Sequence, residues 1–147
     1  MAACCDLRIA AANLRFGFPV ARTLGNCLSM SNYARLAALV GPARVKDMVF
    51  TARLVEAAEA HAIGLVSEVL PDTAALAERT TALAQLVASH APLTLRATKE
   101  ALRRIRDRGM PEGGTDKDLI LMCYMSEDFR EGMDAFLTKR APNWAGR

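Results

Sequence analysis

Residues 16–25 read FGFPVARTLG, an aromatic–glycine–aromatic–proline turn of the kind that presents a side chain from a loop on a rigid scaffold. Val20 stands at its tip, and valine cannot move a proton. Arg22 is the nearest group with chemistry, as an electrophile or a carboxylate-binding guanidinium, with simple solvent exposure as the alternative. Cys27 and Ser29 follow, both capable of nucleophilic attack, but no histidine lies close in sequence to activate either. His61 and His90 fall on or at the end of predicted helices, where surface and capping roles are expected. Glu56 and Glu59 are three apart on one helical face, and a solvated face is the default reading. Lys99, Arg103, Arg104, Arg106 and Arg108 form the densest run of positive charge, either a solvated helix face or an attraction for an acidic ligand. No aromatic residues interleave with that run to stack bases, so nucleic acid is a poor fit.

These residues sit in a chain of 147 residues that is 52% hydrophobic, enough for one compact domain or part of one. Of four cysteines, Cys4 and Cys5 are adjacent while Cys27 and Cys123 are isolated. No CxxC or zinc spacing appears, so reduced thiols are expected rather than a disulfide framework. No apolar run is long enough to span a bilayer, and MAACCDLR does not read as a leader, so a soluble cytoplasmic chain is expected. The formal charge of +3 leaves the partner open while not repelling a polyphosphate.

Two short apolar runs, LRIA and LRFGF, read as brief strands joined by a turn. YARLAALVG places Leu36, Leu39 and Val40 at helical spacing and stops at Gly41, and Pro42 opens the helix PARVKDMVFTAR. EAAEAHAIG reads as a short helix and LVSEVL as a strand. A long helix is predicted from Thr73 to His90 with Leu76, Leu83, Leu86 and Val87 as its apolar stripe. Pro92 starts another that Gly109 ends, and GMPEGGTD is a loop. Ser126 can cap a last helix, EDFREGMDAFLTKR, acidic in its first turn and basic in its last. Two brief strands cannot form a stable sheet alone, so further strands are expected on another chain or ahead of this sequence in a longer fold.

Seven segments in order resemble the C-terminal half of the enoyl-CoA hydratase/isomerase (crotonase) superfamily. Ala3 to Ala10 is similar to an A-x-C-D-x-R-I-A strand, and Phe16-Gly17-Phe18-Pro19 to an F-G-x-P-E turn. Ala34 to Gly41 resembles R-L-x-x-x-x-G, and Asp47 to Ala52 resembles E-M-x-L-T-G. Glu59 to Val66 is similar to E-A-x-x-x-G-L-V, and Pro92 to Ala101 to P-x-x-x-x-x-x-K-x-A. Ser126 to Pro142 resembles S-x-D-x-x-E-G-x-x-A-F-x-x-K-R-x-P.

The resemblance implies an α/β fold, the C-terminal part of a ClpP-like ββα superhelix, mostly helical with a few short strands. Residues 1–72 would be the remainder of the core and 73–147 a helical trimerisation region. It implies a lyase-class activity on acyl-CoA thioesters, in which two backbone N–H groups stabilise an enolate and two glutamates handle water and proton. The first glutamate and the hole-forming segments would fall before Met1. Val20 occupies the second, so these residues alone are not expected to hydrate, and no catalytic residue is assigned. The family's P-G-x-G-G loop corresponds to Leu28-Ser29-Met30-Ser31-Asn32, a departure at the same site. Phe18, Pro19, Val20, Arg22 and Leu24 would wall the acyl pocket. Phe136 and Lys139 would reach the adenine and phosphates of coenzyme A on a neighbouring subunit, although Phe136 could instead anchor its helix in a core. No metal or separate cofactor is implied, coenzyme A being part of the substrate. The expected partners are the acyl-CoA and further copies in a homo-trimer or hexamer, or an N-terminal half or paralogue, with no nucleic acid or membrane. The alternative is a non-catalytic module for acyl-CoA binding or oligomer assembly.

Overall fold

The computed structural model describes residues 2–23, 27–108 and 117–147; Leu24 and the predicted loop 109–116 lie outside them. After a single 3-10 turn at Ala2–Cys4, four strands and eight α-helices follow one another among the described residues: β1 (Ile9–Ala11), β2 (Arg15–Phe16), α1 (Val20–Thr23), α2 (Met30–Val40), α3 (Pro42–Phe50), β3 (Val55–Glu56), α4 (Ala57–Ala62), β4 (Glu68–Leu70), α5 (Thr73–Ala88), α6 (Pro92–Arg108), α7 (Lys117–Tyr124) and α8 (Glu127–Thr138). The chain divides into two compact units, Met1–Ala82 and Leu83–Arg147, with α5 running through the division.

In the first unit the two opening strands form, but not as each other's partners. After β1 the chain turns through Leu14 N–H to Ala11 C=O. β1 then pairs in parallel with β4, Ile9 opposite Glu68 and Ala11 opposite Leu70, while β2 runs antiparallel to β3, Phe16 opposite Val55. The LVSEVL strand shrinks to its last three residues, because Leu65 and Val66 are buried in the turn that leads into it. Arg8 fixes that turn, donating Nε–H to Leu65 C=O at 2.7 Å.

Leu36 and Val40 of α2 meet Val45, Met48 and Val49 of α3 in a cluster with Ala10, Val55, Ala57, Ala60, Leu65 and Val66, the helical i, i+4 and i, i+3 spacings putting each set on one face. Gly41 allows the two helices to follow each other directly, at a positive φ of 81° that a side chain would strain. α2 begins three residues before the predicted Tyr33 because the Ser29 hydroxyl accepts the Asn32 N–H and caps it. The stripe predicted for α5 is not buried: no residue of that helix is, and Leu86 is 51% exposed. Arg79 ties α5 to β4 through both carboxylate oxygens of Glu68.

The second unit contains α6, the unpredicted α7, and α8. Ser126 caps α8 as expected, accepting from Phe129 N–H at 2.9 Å while donating to Cys123 C=O at 2.6 Å. The basic last turn is displaced: α8 ends at Thr138, and Lys139 follows in the left-handed conformation with φ 55°. The chain then folds back. Asp128, 3% exposed, accepts from Ala145 N–H and Gly146 N–H, and Trp144 Nε1–H donates to Ser89 C=O at 3.0 Å. The Trp144 indole lies over Gly132, where an added Cβ would come within 3.2 Å of the ring.

Candidate functional site

The FGFP turn is placed by backbone contact as much as by side chains. A Cβ on Gly17 would stand 2.8 Å from Arg53 C=O and 2.7 Å from Leu54 Cδ2, so the turn closes only with glycine there. Phe16 and Phe18, on either side, pack against the core cluster of the first unit. Pro19 C=O then accepts from Arg22 N–H and Thr23 N–H, both at 3.0 Å, and from the Thr23 hydroxyl at 2.9 Å.

That capping makes Val20 the first residue of α1 rather than the tip of an open loop. Phe18, Pro19 and Val20 are all half-buried, whereas Arg22 is exposed. The division is geometric, since residues two apart on a helix point about 200° away from each other. Of the predicted wall residues, Phe18 therefore packs on the core cluster while Pro19 and Val20 are half-buried beside it in sequence, Arg22 is turned away from Val20, and Leu24 falls outside the described residues.

Other candidates for proton transfer or attack have structural uses. The Ser29 hydroxyl caps α2 and shares a hydrogen bond with Ser31 at 3.0 Å. Cys27 is exposed, as are His61 and His90. Glu56 and Glu59 do not form a pair: Glu56 lies in β3, and Glu59 receives Arg53 in a two-pronged bond at 2.7 and 2.8 Å. The Arg53 hydrogen bond holds the Glu59 carboxyl below the usual carboxylate range, and Asp47 takes a further Arg53 N–H at 2.7 Å.

The positive run on α6 is likewise engaged. Arg103 binds Glu100 and Asp107, Arg104 binds Glu100 and Asp118, and Arg106 binds Asp107. Hydrogen bonds from Arg103 and then Arg104 push Glu100 down to about 2, and Arg104 does the same to Asp118. Glu100 and Asp107 of α6 and Asp118 of α7 thus lace the face and offset part of its positive charge.

At the end of α8, Phe136 is 81% exposed and Leu137 72%, so Phe136 is not a core anchor within this chain. Lys139 follows as the capping residue, and Arg140 N–H returns to Ala135 C=O at 3.0 Å. The neighbouring cation, Arg140, is held by Glu131 and Asp134. An exposed ring and an ammonium thus stand one turn apart, with Lys139 just beyond the regular helix. Nothing in the sequence pattern marked the left-handed backbone at Lys139.

Among the described residues no three His, Cys, Asp or Glu side chains gather where they could hold a metal, and no helix is long and apolar enough to cross a membrane.

The same architecture occurs in solved crotonase-fold structures. An enoyl-CoA hydratase/isomerase family protein from Hyphomonas neptunium superimposes with a TM-score of 0.89 at 33% identity, over 99% of this chain and 55% of that one. An enoyl-CoA hydratase from Mycobacterium tuberculosis H37Rv gives 0.85 at 27% identity, over 97% and 56%. The family model for enoyl-CoA hydratase/isomerase matches residues 1–147, and the chain belongs to that family. The 2,3-dehydroadipyl-CoA hydratase of Escherichia coli K12 is 36% identical over all of this chain and 57% of its own length. The short-chain-enoyl-CoA hydratase of Clostridioides difficile is also 36% identical, over 92% of this chain and 87% of that protein. The chain spans a little over half the length of most of the curated relatives it matches.

Proposed function

We propose that this chain takes part in the handling of acyl-CoA thioesters, supplying an apolar acyl-pocket wall and a coenzyme A contact, and that its chemistry does not use the paired-glutamate hydration of the family. The carrying observation is Val20, half-buried at the start of α1 where the F-G-x-P-E pattern has its second glutamate. With the thioester oxygen held by backbone N–H groups, the developing enolate is stabilised without any side-chain charge. A single base elsewhere would then suffice for isomerisation or another enolate reaction, whereas water addition needs both a base for the water and an acid for the carbon. The names of the relatives, hydratases of enoyl-CoA compounds, support the substrate class.

Phe136 and Lys139 are the coenzyme A contact in this reading, the ring against adenine and the ammonium on phosphate. Assembly into a trimer or hexamer, or with an N-terminal half or paralogue, would bring that contact to a neighbouring subunit. A second reading, a non-catalytic acyl-CoA-binding or assembly module, is favoured by the run of exposed Tyr124, Met125, Met133, Phe136 and Leu137. Calorimetry with crotonyl-CoA tests the shared part: Phe136→Ala and Lys139→Ala are each expected to weaken binding about fivefold or more, and unchanged affinity rejects the contact. Val20→Glu, introduced in a protein that also carries the N-terminal half and assayed by mass spectrometry of the hydrated product, is expected to raise hydration of crotonyl-CoA. No gain would mean that the site is built for chemistry other than hydration.

A further inference from the structure

The apolar surface of α3 extends from its buried face to an open rim. Pro42, Val45, Lys46, Val49 and Phe50 recur at i, i+3, i+4, i+7 and i+8, and with Tyr33 of α2 they line a cavity of about 300 Å³. That volume is at the lower end for small-molecule sites, and the apolar lining with few polar groups is their usual composition. Val45 and Val49 are buried and form the floor, while Phe50 stands 77% exposed at the rim.

Among the described residues Lys46 is the only cation lining the cavity, and no hydrogen bond or ion pair among them holds it. The adjacent acid, Asp47, is taken by Arg53 at 2.7 Å, so it does not neutralise Lys46. The next cation on the same helix, Arg44, lies outside the cavity and donates to Val40 C=O. The cavity therefore has an apolar body, two aromatic rings and one uncommitted ammonium.

We propose that this cavity binds a medium-chain alkyl carboxylate, with its chain along Val45, Val49, Tyr33 and Phe50 and its carboxylate on Lys46 Nζ. Beyond Tyr33 and Lys46 the lining offers no polar side chain, and it has no second cation for the phosphates of a nucleotide. One ammonium is a compact point charge that balances a singly charged head group, whereas a phosphate recruits a guanidinium fork or several cations. The site shares no residue with the FGFP turn or with Phe136 and Lys139, so it stands apart from the proposed acyl-CoA contact.

Titration of the full chain with sodium octanoate, with 1-octanol as the uncharged control, tests the site. Saturable 1:1 octanoate binding is expected, with amide shifts centred on Tyr33 and α3. Lys46→Ala should weaken octanoate about tenfold, leave 1-octanol within twofold, and leave crotonyl-CoA affinity unchanged. Lys46→Arg should retain most of the octanoate affinity, and Phe50→Ala should weaken octanoate and octanol together. All three variants alter exposed side chains and are expected to fold. Absence of saturable octanoate binding, equal affinity in Lys46→Ala, or shifts centred elsewhere would overturn the assignment. Loss of crotonyl-CoA binding in Phe136→Ala with octanoate binding intact keeps this site separate from the coenzyme A contact.

Discussion

The two units of the chain are held by different physics. Residues 1–82 contain a contiguous cluster built from α2, α3, α4 and the strand ends, with Met48, Val55 and Val66 fully enclosed. Among the described residues of 83–147, Leu93 and Ala135 are the buried hydrophobic side chains, and the polar Ser126 and Asp128 are buried with them. Their order comes from directed contacts: the Ser126 cap, Asp128 on the returning tail, Arg140 on Glu131, and Arg104 on Asp118. Burial of apolar area is non-directional and insensitive to pH, whereas each polar clasp needs a particular geometry and those made by carboxylates also need the ionised form. The first unit thus gathers many of its apolar side chains into one cluster while exposing Met30 and Phe50, and the second leaves most of its apolar helix faces exposed.

Removing buried volume from the first unit should have the largest effect. Met48→Ala empties a fully enclosed position, and large-to-small changes of this kind cost about 2–5 kcal/mol. The matching change in the second unit, Phe136→Ala, removes a ring that is 81% exposed and should alter the stability of the separate chain by less than about 0.5 kcal/mol. Urea denaturation of the two variants checks the contrast. Comparable losses would mean that Phe136 is covered in solution, most simply by another copy of the chain.

Acid should discriminate in the opposite direction. Hydrogen bonds from Arg140 push Glu131 down to about 2, and Glu100 and Asp118 of the same unit are lowered to about 2 by their arginines. A carboxylate depressed on folding contributes stability that is fully present above its unfolded value, about 4.5 for glutamate, and is lost as pH falls through its folded value. The tail clasp should therefore loosen between about pH 4.5 and 2. Trp144, the only tryptophan, sits on that tail and reports the change by fluorescence. Glu131→Gln should flatten the response, and added salt should shrink the wild-type contribution because these pairs are exposed. A Trp144 signal that stays flat to pH 2 would show that the Asp128 bonds hold the tail without Glu131.

How legible each region was follows the same division. Helical spacing located α2, α3 and α6 because their apolar positions meet a core or follow a proline start, whereas the reading of Val20 at the family's second glutamate position rests on residue type and motif order alone. The pairing of β1 with β4 was not readable, since strands of two or three residues carry almost no register information. Arg22 looked adjacent to Val20 until α1 turned the two apart. The α6 cations looked like a field, but Asp118, which binds Arg104 from 14 positions away, cancels part of it. α7 was missed because it is short and little of it is buried.

The smallest effects concern two residues that adopt the left-handed conformation without being glycine. Ala52 at φ 51° and Lys139 at φ 55° each carry a penalty of roughly 1–2 kcal/mol that glycine avoids, against about 0.5–1 kcal/mol of extra chain entropy that glycine loses on folding. Ala52 stands where the E-M-x-L-T-G pattern has its glycine, and it is 3% exposed, so Ala52→Gly also gives up a buried methyl of about 0.8 kcal/mol. Its net change should be near zero. Lys139 is exposed and surrenders no such burial, so Lys139→Gly should stabilise the chain by roughly 0.5–1 kcal/mol while weakening crotonyl-CoA binding. Thermal denaturation and calorimetry on the same two variants separate these effects. A strained residue whose removal stabilises the fold but loses ligand is retained for its side chain, whereas stabilisation with full affinity would reduce Lys139 to an ordinary helix end.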